Sequence, residues 1–94
     1  MNYLELHHFL PHLNEIFAAT HNSESLSFVL VEAKPLGTSS TSRQPFSLLF
    51  FCEGTEVMPQ SIYQLRHSSI GEFGVFLVPI DRNPKGVVYQ AVFN

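Results

Sequence analysis

Four apolar runs, each six to nine residues long, fill the stretch from Pro45 to Asn94, and turn-forming residues separate them. Runs of this length, rich in Val, Ile, Phe and Tyr and bounded by Gly, Pro, Asn and Ser, are strand signals. The first, Phe46–Cys52, alternates Phe46, Leu48, Phe50 and Cys52 on one face with Leu49 and Phe51 on the other. In the second, Ile62–His67, Tyr63 and Leu65 point inward while Gln64 and Arg66 point outward. His67-Ser68-Ser69-Ile70-Gly71 is a tight reversal into Glu72–Ile80, with Phe73, Val75 and Leu77 toward the core. Asp81–Gly86 (DRNPKG) reads as a hairpin loop, and Val87–Asn94 follows with Tyr89, Ala91 and Phe93 inward.

Two strands are expected upstream. Glu15–Thr20 (EIFAAT) is a short one, the polar His21-Asn22-Ser23-Glu24 a hairpin loop, and Leu26–Lys34 (LSFVLVEAK) a longer one. In the latter Leu26, Phe28 and Leu30 face one way and Val29, Val31 and Ala33 the other, so both faces should be covered. Leu36–Pro45 (LGTSSTSRQP) is a solvated connection, with a phosphosite or ligand loop as its alternative. Before the strands, Leu6, Phe9, Leu10 and Leu13 keep helical spacing. Pro11 cannot continue an established helix, so the pattern predicts one helix over residues 3–10 and then a turn in which Asn14 takes left-handed angles. That helix should lay Leu6, Phe9 and Leu10 on the sheet.

The expectation is therefore one domain over residues 1–94, mainly β. About six antiparallel strands in meander order (residues 15–94) would close as a small barrel or sandwich beside one short helix. No internal sequence repeat is visible. Expected to lie together in the core are Phe73, Leu77, Tyr63 and Phe93. The uncharged strands Leu48–Cys52 and Val87–Asn94 would be candidates for open edges.

Charge and composition narrow the function. Net charge is −3 and the basic residues Lys34, Arg43, Arg66, Arg82 and Lys85 are scattered, so no stripe exists to neutralise a phosphate backbone and nucleic-acid binding is not expected. No run approaches the roughly 20 apolar residues of a membrane span, and no basic leader precedes an apolar run at the N-terminus. A cytoplasmic location is expected. Cys52 has no second cysteine to pair with.

Chemistry has few footholds. His7, His8 and His12 crowd the N-terminus, and His8 and His12 stand at the i, i+4 spacing that lets two imidazoles share a metal, but Pro11 breaks the helix this requires. Cys52 follows Leu48-Leu49-Phe50-Phe51, where a thiol acts as a small hydrophobe rather than a nucleophile. Gly71 and Gly74 make no phosphate loop, Glu53 and Glu56 flank Gly54 as solvated carboxylates, and no GxSxG elbow occurs. No catalytic residue, metal or cofactor is expected.

Several segments carry a likeness: PFSLLF (Pro45–Phe50), PQSIYQLRH (Pro59–His67), GEFGVFLVPI (Gly71–Ile80), YQAVFN (Tyr89–Asn94), FLPHLNEIF (Phe9–Phe17) and LVEAKPL (Leu30–Leu36). In these the chain resembles a family of small bacterial proteins of unknown function, often encoded beside phage-tail-collar-like proteins. It departs from that pattern at Ser61, where a glycine is usual, at Ser68, where a proline is, and at Phe51, where an arginine is. The resemblance implies no catalytic residue and no cofactor.

With nine Phe and three Tyr, the chain has more aromatic surface than one small core is expected to hide. Phe51, Phe76 and Val78 are apolar yet outward, which marks them as a candidate interaction surface. The leading expectation is a non-enzymatic binding or assembly module, an accessory of a phage-tail-like particle, that self-associates as a dimer or meets a protein partner. The alternative is a small enzyme or metal protein using His7, His8, His12 or His67.

Overall fold

A computed structural model describes residues 4–37, 45–54 and 56–93. Six strands, β1 (Ile16–His21), β2 (Glu24–Pro35), β3 (Phe46–Glu53), β4 (Ser61–His67), β5 (Gly71–Asn83) and β6 (Gly86–Phe93), follow a one-turn helix α1 (Leu6–Phe9) and a 3-10 turn over Leu10–His12. All strand pairings are antiparallel, and the strands close into a barrel in the order β1-β2-β3-β6-β5-β4. The sheet is thus a barrel rather than a sandwich. Meander order holds within β1-β2-β3 and within β4-β5-β6; the connection over 54–60 then crosses the barrel so that β3 meets β6 and β1 meets β4.

The two halves are built alike. Each is a three-stranded meander whose middle strand is long, 12 residues in β2 and 13 in β5. The first part of that strand pairs with its predecessor (Ile16↔Val29 to His21↔Glu24; Ser61↔Leu77 to His67↔Gly71) and the second part with its successor. Each middle strand also carries a bulge, between Leu30 and Glu32 in β2 and between Pro79 and Asp81 in β5. A bulge bends the strand and raises its twist, which is what closing so few strands demands. Pro79, with no N–H to donate, sits where a bulge already interrupts the ladder. First strand pairs with first (Ala18↔Arg66, Ala19↔Leu65) and third with third (Phe46↔Phe93 to Glu53↔Gly86), an approximate two-fold arrangement without a sequence repeat.

Turn chemistry sets the hairpins. Asn22 and Ser23 both have positive φ, 51° and 67°, the two-residue turn whose twist matches the flanking strands. Asn83 Oδ1 accepts from the N–H groups of Lys85 and Gly86, so the DRNPKG reversal is confined to Pro84-Lys85 and β5 runs on to Asn83. Asn14 is left-handed as its turn demands (φ 69°), and its N–H donates to the Leu30 carbonyl.

Inside the barrel Phe17, Ala19, Phe28, Leu30, Phe46, Leu48, Phe50, Tyr63, Leu65, Leu77, Val87, Tyr89 and Ala91 are buried. Each half's leading segment covers one mouth. At one mouth Phe9, fully buried, packs among Phe17, Phe46, Phe73 and Phe93 at centroid distances of 5.6–6.3 Å. At the other the 54–60 connection is tied down by Tyr63 Oη, which donates to the Pro59 carbonyl (2.6 Å), and Tyr89 Oη, which accepts from the Met58 N–H (2.8 Å).

Four expectations need correction. Leu10 does not pack on the sheet but is 45% exposed, because a single helical turn aims one side chain squarely inward and Phe9 takes that place. Ala33 packs against the core rather than facing out with Val31, because the bulge shifts the strand's alternation by one residue. The outer face of β2 is not covered, since Val31 is exposed. β3 and β6 are not edges: each pairs on both sides. Of the four residues expected together, Tyr63 and Leu77 are buried, while Phe73 and Phe93 are part-buried around Phe9 at the mouth. The Leu36–Pro45 loop falls largely in residues 38–44, outside the described residues; Leu36 N–H donates to the Pro45 carbonyl at its base.

Candidate functional site

Period-two alternation that drives one side of each strand into the barrel leaves the other side to the outer wall. There the structure places all three candidates, though not together. Phe76 on β5 is 51% exposed and stands directly opposite Ile62 on β4, which is 67% exposed. Val78, two residues along β5 on the same side, is part-buried and faces Gln90. Val92, exposed, lies two residues beyond Gln90 on β6. Phe51 lies elsewhere, in a row of outward residues joined by cross-strand pairing, Ile16↔Val29↔Phe51↔Val88. Its ring lies over Gly86, where an added Cβ would meet Phe51 Cζ at 2.7 Å. This part-buried ring is therefore partly spent on its own neighbour, an aromatic side chain covering a strand glycine.

Ile62 and Val92 were missed as candidates, although the same alternation that turned Gln64 and Arg66 outward puts Ile62 on their side.

The histidines divide into two groups. The His7 and His8 rings meet at a tilt (centroids 4.2 Å, 41° between planes), and His8 Nδ1 accepts from the Glu5 N–H, capping α1. His12 turns to Glu15 and His67, bringing three potential ligand atoms within 4.8 Å of one another. Glu15 Oε1 accepts from His12 Nδ1 (2.8 Å) and from His67 Nε2 (2.7 Å). The His67 imidazole, 5% exposed, also accepts at Nδ1 from the N–H groups of Ser69 and Ile70. Because Nδ1 accepts, the proton of neutral His67 sits on Nε2. A metal on Nε2 would need that proton moved to Nδ1, against two backbone donors. The arrangement suits a hydrogen-bonded clasp joining the first turn, the start of β1 and the β4–β5 reversal. Accepting two imidazole bonds, from His67 first and then His12, holds the Glu15 carboxyl below the usual carboxylate range.

Cys52 is a free, buried thiol whose pKa burial pushes up, so it rests as the unreactive thiol. It borders a notch of about 190 Å³ where β2 and β3 part beyond Val29 and Phe51, lined also by Ser25, Leu26 and Ser27. A shallower groove of about 320 Å³ at the second mouth is lined by Val57, Pro79, Asp81, Arg82 and Val87. Burial likewise raises the Tyr63 and Tyr89 hydroxyls above the usual phenol range, and Tyr63 keeps the proton it donates to the Pro59 carbonyl.

Fold and surface together define a small closed β-barrel whose interior is filled by its own side chains and whose distinctive features lie on the outer wall. Residues 4–93 match the model of a domain of unknown function, DUF6916, and the chain belongs to that family. Neither the comparison with curated proteins nor that with solved structures returns a match. Among the described residues no helix is long and apolar enough to cross a membrane.

Proposed function

We propose that this chain is a non-enzymatic binding or assembly module that meets a protein partner, a second copy first among them, through the outer wall of β4 and β5. The observation that supports this reading is the directly opposed pair Ile62 and Phe76, both more than half exposed and continued by Val78 on the same face. Large apolar side chains set side by side on a sheet's outer face mark contact sites more often than isolated ones do. Arg66 and Glu72, cross-strand partners on the same two strands, supply both signs of charge at the rim, which suits a two-fold contact. An accessory role in a phage-tail-like particle is part of the proposal and rests on the family resemblance alone. A cytoplasmic location rests on the single Cys52, which has no second cysteine to pair with.

Light scattering across a dilution series tests the contact. The native chain should show a mass above 10.6 kDa that falls on dilution. Ile62→Lys with Phe76→Lys should hold it at 10.6 kDa without unfolding the barrel. A native mass of 10.6 kDa at every concentration refutes self-association through this wall. Stoichiometric zinc or nickel retained by the purified protein through dialysis would favour the metal reading instead.

A further inference from the structure

We propose that a second copy of this chain can associate by exchanging halves, with β4–β6 of one copy completing the barrel begun by β1–β3 of the other. The contacts that close the barrel lie between the halves: the β3–β6 ladder from Phe46↔Phe93 to Glu53↔Gly86, the short β1–β4 ladder, and the shared core. In a closed two-fold exchange each of those contacts recurs between chains, and what changes is the connection over 54–60.

That connection is built to be re-routed. Its described residues form no helix or strand, and its described ties are the packing of Met58 against the core and three hydrogen bonds: Gly54 N–H to the Lys85 carbonyl, Met58 N–H to Tyr89 Oη, and Tyr63 Oη–H to the Pro59 carbonyl. Pro59 biases Met58 toward extended backbone, which favours a spanning path over a tight return. Seven extended residues reach about 23–25 Å. The barrel's two shorter dimensions are 25 and 22 Å, so the connection is long enough to run from one barrel to an adjacent one. The mode is independent of the Ile62 and Phe76 contact, since exchange uses surfaces that are already buried.

Closure within one chain is favoured by an effective concentration in the millimolar range, so exchange should appear when folding occurs at comparable protein concentration. Leu49 and Gln90 are direct partners on β3 and β6, one in each half, at a spacing a disulfide tolerates. In a Cys52→Ala background, Leu49→Cys and Gln90→Cys are introduced. The protein is then refolded at about 1 mM and at about 10 µM, oxidised, and run on a non-reducing denaturing gel. The expected result is a covalent dimer from the concentrated refolding and a cross-link within one chain from the dilute one. Cross-links within one chain at both concentrations overturn the proposal. So does a native chain refolded at about 1 mM that still scatters as 10.6 kDa. A doubled mass whose cross-links stay within one chain refutes exchange and leaves the outer-wall contact standing.

Discussion

Replacing Phe9 by Ala tests whether the N-terminal segment is a structural plug or an appendage. Phe9 is fully buried, and four phenylalanine rings surround it within 6.3 Å. Truncating a buried Phe to Ala costs about 3–5 kcal/mol, from lost transfer energy and from the cavity left behind. A cavity at this mouth has little to fill it, because Phe9 rides on a single helical turn whose following residue, Leu10, points outward. For 94 residues total stability is about 5–14 kcal/mol, so the variant loses a large share of it. At about 4–8 °C per kcal/mol for a domain this small, the melting temperature should fall by at least about 12 °C. Leu10→Ala is the control: its side chain is 45% exposed, and the loss should stay within about 1 kcal/mol. Thermal and urea unfolding followed by circular dichroism measure both. If Phe9→Ala melts within a few degrees of the native chain, or the two variants lose equally, the mouth is not closed by Phe9.

Gly86→Ala should cost about 1–3 kcal/mol, as overpacking does, because its Cβ would press on the Cys52 carbonyl and the Phe51 ring; unchanged urea unfolding would show that β3 and β6 are not paired in this register. Glu15→Gln should flatten the acid limb of the stability profile. The folded Glu15 pKa is lowered, so its contribution is complete above the unfolded carboxylate value and is lost as pH falls through the lower folded one. Melting temperatures from pH 7 down to pH 3 that run parallel for native and variant would contradict the clasp.

Strand positions were legible because burial of one face writes alternation into the sequence, as Tyr63 and Leu65 against Gln64 and Arg66 show. What alternation cannot encode is a bulge. Val31 and Ile80 look like any other apolar strand residue, and the shift they mark becomes visible only in the partner, where Glu32 lies opposite Leu49 and Asp81 opposite Val88. Partner choice is equally silent. Each of β3 and β6 reads as a strand, yet nothing local says that β3 passes over its neighbour in sequence to pair with β6. The clasp was half visible, since His12 and Glu15 stand three apart, but His67 is 52 positions beyond Glu15 and arrives only through barrel closure.

The two mouths show why the halves need no sequence likeness to share an architecture. Each leading segment must cover the apolar end of a barrel, and each does so with different chemistry. The first sets one phenylalanine among four others, with its turn tied to the β4–β5 reversal through the Glu15 clasp. The second uses Tyr63 and Tyr89, whose buried hydroxyls must find partners and take them from the backbone of Met58 and Pro59. With both ends closed by the chain's own side chains, the proposed contact is left to the outer wall. There Phe51 already covers Gly86, and Ile62 and Phe76 stand opposite each other, each more than half exposed.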